Sequence, residues 1–160
     1  MITIIAAIGK NNELGINNHL LWNLKEDMKF FKEKTINHKV VMGLNTYNSI
    51  KRPLISRENI VLSNKEVNLP KEVKLYTNIN KLTNDLQNIQ EEVFIIGGAS
   101  LYNHYIPLAD KMYLTLIEDT KPADTYFPKI NKEDWNITII KELEEEVKYK
   151  FVLFERRTNE

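Results

Sequence analysis

The sequence predicts an α/β fold: an open, mostly parallel mixed sheet with flanking helices and an antiparallel C-terminal strand. Three observations carry this reading. Short apolar runs rich in Ile and Val recur along the chain, and such runs suit strands covered on both faces. Helical patterns lie between them. The last run alternates, with Tyr149, Phe151 and Leu153 set against Lys150, Val152 and Phe154, as expected of a late antiparallel strand.

The elements follow in order. Residues 2–8 are apolar except for Thr3 and lead into Gly9-Lys10, so they form a buried first strand. The run has no basic leader and is too short for a signal peptide or a membrane span. Residues 24–35 give the clearest helix, with apolar residues at helical spacing. Residues 39–42 form the next strand and lead into a short helix at 46–50. A strand at 59–62 and a helix at 79–89 come next. Residues 93–96 form a strand that runs into Gly97-Gly98 and a helix at 99–106, followed by a strand at 112–117 and the alternating run 149–157. With no internal repeat and no low-complexity linker, residues 1–160 are expected to form a single domain.

Composition narrows the function classes. Lys plus Arg and Asp plus Glu number 22 each, so no general pull toward nucleic acid or an anionic membrane follows. Cysteine is absent, which excludes disulfides and thiolate metal sites and permits a reducing cytoplasm. His19, His38 and His104 lack metal-ligand spacing, and no metal is expected. A monomer is the default for this length and for a surface without an evident apolar patch.

One acid stands out. On a helix over 24–35, Leu24, Met28, Phe31 and Thr35 form a stripe with Phe30 beside it. Asp27 falls between Phe30 and Phe31, while Lys25, Glu26, Lys29, Lys32 and Glu33 fill the opposite face. A carboxylate among aromatics loses hydration, which raises its pKa unless a donor pairs with it. That suits an acid receiving a polar ligand in an apolar cleft. The same position also fits a carboxylate at the edge of the stripe that simply reaches water, and Lys34 projects into its sector.

Open sheets of this kind bind ligands beyond the carboxyl ends of their strands, here Ala7-Ile8, Gly43 and Gly97-Gly98. Glycine lets the backbone approach a ligand, and the free amides of a helix start attract phosphate. Gly97-Gly98 is neither a G-x-G-x-x-G fingerprint nor a P-loop, and ordinary turns use glycine pairs freely. The junction at Gly43-Leu44-Asn45-Thr46 repeats the arrangement. Two such junctions suggest one extended ligand with two phosphate-bearing regions.

Taken together, Leu14-Gly15, Leu21-Trp22, Asp27, Phe31 and Thr35 resemble the bacterial dihydrofolate reductase family in order and spacing. Met42-Gly43, Thr46, Ser49-Ile50, Arg52-Pro53-Leu54, Arg57, Ile96-Gly97-Gly98, Tyr102 and Asp124-Thr125-Tyr126-Phe127-Pro128 extend the resemblance over nearly the whole chain. It implies reduction of 7,8-dihydrofolate to tetrahydrofolate by hydride transfer from NADPH, in the cytoplasm, supplying one-carbon metabolism. Antifolates are implied as further ligands.

The resemblance also implies roles. Asp27 would hold the pterin through its amino group and ring nitrogen, with Thr115 hydrogen-bonded behind it. Trp22, a good core residue in any fold, joins them as catalytic on the resemblance alone. Met28, Phe31, Ile50 and Leu54 would wall the substrate, Ile5 and Ile96 would offer backbone carbonyls, and Tyr102 would lie alongside. Arg57 would pair with the α-carboxylate of the glutamate tail, a task suited to a two-pronged donor. On the cofactor side stand Ala7, whose backbone would fix the carboxamide, and Leu14 and Gly15 at the head of a closing loop. Gly43, Asn45, Thr46 and Ser49 would flank one phosphate region with Ser63, Asn64 and Lys65. Gly97, Gly98, Ala99, Ser100 and Leu101 would flank the other, with a cis peptide between the glycines. Asp124 would brace the loop over residues 15–21.

Three departures from the family pattern carry expectations. Leu21 replaces the usual proline before the tryptophan, which predicts a more mobile loop in the free protein. Lys51, Ile55 and Ser56 stand where Gly and Pro are common around Arg57. Leu44 and Asn45 occupy the place of a basic residue after Met-Gly. A phosphate dianion prefers charged donors, so NADPH is expected with a smaller preference over NADH than the family norm. The rival readings are a non-catalytic pterin or nucleotide binding module and a related pterin or flavin-precursor reductase.

Overall fold

Ile2–Ile8 (β1) is apolar except at Thr3 because both of its faces are covered. Ile4 and Ile8 enter one core cluster and Ile5 another, and each fully buried side chain of this size contributes about 1.5–3 kcal/mol. The computed structural model describes residues 1–158. After β1 come Glu13–Ile16 (β2), His19–Leu20 (β3), Lys25–Thr35 (α1), Lys39–Gly43 (β4) and Leu44–Ile50 (α2). Glu58–Leu62 (β5), Val73–Tyr76 (β6), Ile79–Gln87 (α3), Val93–Gly97 (β7) and Ala99–Tyr105 (α4) follow. The chain finishes with Lys111–Ile117 (β8), Thr125–Tyr126 (β9), a 3-10 turn at Lys132–Asp134, Trp135–Glu144 (β10) and Lys148–Arg156 (β11).

The main sheet has eight strands in the order β10-β11-β8-β1-β7-β4-β5-β6. From β8 to β6 every pairing is parallel, whereas β11 runs antiparallel to both β8 and β10. The open mixed sheet and its antiparallel finish match the fold expected from the pattern. Phe30 and Phe31 of α1 and Tyr47 of α2 pack on one face, and Leu82 and Leu86 of α3 with Leu101, Tyr102 and Tyr105 of α4 pack on the other. Chain order reverses beside β1 and β7, where α1 and α4 lie on opposite faces. That arrangement opens a crevice at the carboxyl ends of the two strands.

Four features were not anticipated. β6 adds an outer parallel strand, and β10 pairs with β11 along nearly its full length. A separate sheet of three strands, ordered β3-β2-β9, forms over the crevice end of β1. Its tight turn uses Asn17 and Asn18, both at positive φ, where asparagine is tolerated. β10 also leaves Ile137, Ile139 and Ile140 exposed, which corrects the expectation of a surface without an apolar patch. Among the described residues no helix is long and apolar enough to cross a membrane.

Candidate active site

Asp27 is the third residue of α1, and the packing of Phe30 and Phe31 turns that side of the helix toward the sheet. Phe30 stacks on Phe151 with ring centroids 4.1 Å apart and meets Tyr113 edge-on at 5.8 Å. Lys34 does not approach Asp27. Its ammonium lies 4.7 Å from the centroid of Tyr113, so it covers an aromatic face instead. Asp27 therefore faces Thr115 on β8, whose hydroxyl donates to Oδ1 at 2.5 Å. Among the described residues its Oδ2 has no hydrogen-bond partner. Burial pushes the Asp27 carboxyl above its ordinary value, the Thr115 bond opposes that, and the charge of Glu145 adds to it.

The pair sits at the crevice because Thr115 is in register with Ala7 at the end of β1. Ile5, two residues earlier and buried, accepts the Tyr102 hydroxyl on its carbonyl at 2.8 Å. A carbonyl oxygen has a second lone pair, so this bond does not use up Ile5. Tyr102 itself is buried, and burial followed by the charge of Asp27 holds its hydroxyl protonated. Phe31, Ile50, Leu54 and Ile96 are partly buried around one apolar cluster. Met28 is 61% exposed and joins none of the clusters, so the stripe on α1 is interrupted at its middle.

Arg57 is fixed at the far end of α1. Its Nη1 donates to the Thr35 hydroxyl at 3.1 Å and its Nε to the Ile55 carbonyl at 2.9 Å, leaving further N–H groups for a ligand. Partial burial lowers its pKa from the ordinary value, yet an arginine stays charged. Lys51 and Ser56 both take positive φ, so the loop makes its turns without glycine. Asn59, which the sequence reading missed, ties that loop down. Its Oδ1 accepts from Leu54 N–H at 2.9 Å and its Nδ2 donates to the carbonyls of Leu54 and Arg57 at 3.0 Å.

The two glycine junctions come together at the carboxyl ends of β4 and β7. Gly97-Gly98 is a cis pair, a Cβ on Gly43 would stand 4.0 Å from the Gly97 carbonyl, and one on Gly98 would meet the Thr46 hydroxyl at 3.5 Å. Helices α2 and α4 start at Gly43 and Gly98 with no side-chain cap, so their first N–H groups remain free. Ser100, Asn45 and Ser49 are exposed, Ala99 is half-buried and Leu101 is buried in the core. Ser63 is buried and its hydroxyl accepts from Lys65 N–H at 3.3 Å, while Asn64 and Lys65 are exposed. The ammonium of Lys65 is thus at the rim rather than within the fold.

The loop between β1 and α1 covers the same end of the sheet. Leu14 packs against the larger core, and a Cβ on Gly15 would come within 2.6 Å of the His19 carbonyl oxygen, which closes the turn tightly. The Asn18 amide donates to the Asn45 carbonyl at 3.3 Å, joining the turn to α2. Asp124 accepts from Asn17 N–H at 2.9 Å on Oδ2, and its own N–H donates to the Gly15 carbonyl at 3.0 Å. Trp22 is buried, but its indole N–H donates to Asp119 at 2.9 Å. The buried acid Glu13 accepts from Asn11 N–H, the Thr120 hydroxyl and Lys121 N–H. Asp119 and Glu13 bridge more than ninety positions of sequence, and nothing in the local pattern marked either.

The family model for dihydrofolate reductase matches residues 1–156. The chain belongs to the dihydrofolate reductase family. Dihydrofolate reductase of Bacillus subtilis strain 168 is 33% identical over 99% of this chain and 96% of its own length. That of Haemophilus influenzae is 37% identical over 84% of this chain and 83% of its own length. Among solved structures, dihydrofolate reductase from Enterococcus faecalis, complexed with NADP(H) and RAB-propyl, superposes with a TM-score of 0.88. It is 27% identical, and the match covers 99% of this chain and 97% of that one. Membership thus rests on a match over nearly the whole chain.

Proposed function

We infer that this chain reduces 7,8-dihydrofolate to tetrahydrofolate with NADPH, and that Asp27 is the acid on which the reaction turns. The observation that carries the reading is the Asp27–Thr115 pair, a half-buried carboxylate with one oxygen held at 2.5 Å and the other free. It stands at the crevice beside the glycine junctions. When bound, the nicotinamide cofactor supplies the hydride that adds to C6 of the substrate. The proton goes to N5, and the C6–N5 double bond becomes single.

This chain's residues then have separable tasks. Asp27 would accept hydrogen bonds from the pterin's amino group and ring nitrogen, with Thr115 fixing its orientation. Its negative charge would raise the basicity of N5, and water would deliver the proton. Phe31, Ile50 and Leu54 would exclude bulk water, Met28 would be covered only when substrate is seated, and Arg57 would hold the tail carboxylate. The free amides at Gly43 and Gly98 fit phosphate groups, and the close approach of the two glycine junctions leaves no side chain in the way. Trp22 acts here through the loop: its N–H is already engaged by Asp119, so its part is to position rather than to touch reacting atoms. The protein supplies orientation and a dry, charged pocket.

Thermal unfolding with dihydrofolate and NADPH, singly and together, combined with loss of the reduced-nicotinamide absorbance, tests the reading. Stabilisation by each ligand and turnover that requires both are expected. Stabilisation without turnover would instead identify a binding module. With the charge of Lys65 exposed at the rim beside Ser63, NADH is expected to support turnover with a higher KM than NADPH, by a smaller ratio than a built cationic site gives. We also propose a monomer, checked by sedimentation: the bulge in β10 between Ile139 and Lys141 blunts the edge that its isoleucines would otherwise offer.

A further inference from the structure

Helix α1 begins badly by its own sequence. Its N-cap residue is Leu24, which offers no side-chain acceptor, and the first amides of a helix have no partner inside it. Glu145, in the turn between β10 and β11, supplies the missing acceptor. Lys25 N–H donates to its Oε1 at 3.0 Å and Glu26 N–H to its Oε2 at 3.4 Å. The hydroxyl of buried Tyr149 donates to the same Oε2, so the carboxylate is anchored in the hairpin and presented to the helix. Glu145 N–H donates to the Val147 carbonyl at 3.0 Å, closing the turn that aims it. The two amides it binds immediately precede Asp27.

We propose that Glu145 is a positioning residue for the reduction, a cap lent by the C-terminal hairpin that fixes the start of α1 and thereby the aim of Asp27. The proposal rests on the reading of Asp27 as the reaction's acid. A negative charge at a helix N-terminus is favourable, and a carboxylate accepting backbone N–H groups makes the stronger kind of hydrogen bond. Tyr149's hydroxyl, above all, keeps Glu145 below its ordinary pKa, so it is ionised wherever the enzyme would work. Its charge reaches Asp27 and adds to the effect of burial. The other groups facing Asp27 are Thr115 on β8, Tyr102 on α4 and Tyr149 on β11, both tyrosines being held neutral mainly by burial. Glu26 adjoins it on α1, and Lys25 is the cation whose charge acts on Glu145. A second negative charge favours proton uptake by whichever member of the acid–substrate pair carries the proton, because the pair titrates together.

Three variants of the full chain, Glu145→Gln, Glu145→Ala and Asp27→Asn, separate the possibilities through pH profiles of kcat and kcat/KM for dihydrofolate, with circular dichroism and urea unfolding as folding controls. Glu145→Gln keeps an acceptor but loses the charge, so its alkaline loss of activity should begin at lower pH. Glu145→Ala loses both, so it should show the same displacement and a fall in kcat/KM of roughly three- to ten-fold, the scale of one lost cap. A cap that matters only for stability would lower the urea midpoint and leave both pH profiles and kcat/KM at native values; that outcome overturns the proposal. Asp27→Asn run in parallel distinguishes the two levels: full activity there would sink the reading of the acid itself, whereas native-like Glu145 variants beside an inactive Asp27→Asn would sink only the role of Glu145.

Discussion

Asp27 and Thr115 lie 88 positions apart in sequence yet share a hydrogen bond, and that bond does not restore what burial takes from the carboxylate. The folded-state pKa is raised above the ordinary 3.8, first by burial and further by Glu145, with Thr115 opposing. For an acid shifted upward, the folded state binds more protons than the unfolded one across the window above 3.8, so stability falls as pH rises through it. Asp27→Asn removes that cost and keeps an acceptor for Thr115. The variant is therefore expected to have a higher Tm than the native chain near neutrality and to lose the advantage near pH 4, as scanning calorimetry would show. A lower Tm at neutral pH would mean that the carboxylate stabilises the fold. At this scale the sequence exposed Asp27, because a single acid interrupted an aromatic face at helical spacing. Glu145 could not be picked from Glu142, Glu144, Glu145 and Glu146, since what distinguishes it is the turn that carries it to α1.

The helices and the buried parallel strands were legible because burial on a face, or on both, imposes a period. β10 carries no such signal. As an edge strand it exposes most of its residues on both sides, and its order comes from pairing with β11. β2, β3 and β9 are two to four residues long, too short for any period, and depend on contacts across the chain. Glu13 is the clearest of these contacts: it is 1% exposed and accepts three hydrogen bonds, two of which, from Thr120 and Lys121, join the start of β2 to the segment before β9. Burial pushes its carboxyl up, but the bonds led by Thr120 outweigh this and leave its pKa lowered. Its contribution to stability is present above the ordinary 4.5 and is lost as pH falls through the folded value. Glu13→Ala would strand those donors at a cost of about 1–3 kcal/mol, seen as a lower urea midpoint, with a looser loop expressed as a higher KM for NADPH. An unchanged midpoint would show that water replaces the carboxylate freely.

Across the whole molecule, the sheet brings three chain segments to one edge: the end of β1 with its loop, the junction of β4 with α2, and the junction of β7 with α4. The acid arrives from α1 on one face of that edge, and α4 carries the second glycine junction on the other. Sequence motifs indicated these parts and their order, whereas the braces that hold them, at Glu13, Asn59, Asp119 and Glu145, emerge only when the fold closes. The central proposal is that Asp27 makes this assembly reduce dihydrofolate. The most direct measurement is the dihydrofolate-dependent loss of NADPH absorbance near neutral pH, for the native chain and for Asp27→Asn purified alike. Native turnover and a loss of roughly a hundred-fold or more in the variant, the scale of a positioned acid or base, are predicted. Turnover by folded Asp27→Asn within two-fold of native would contradict that role of Asp27.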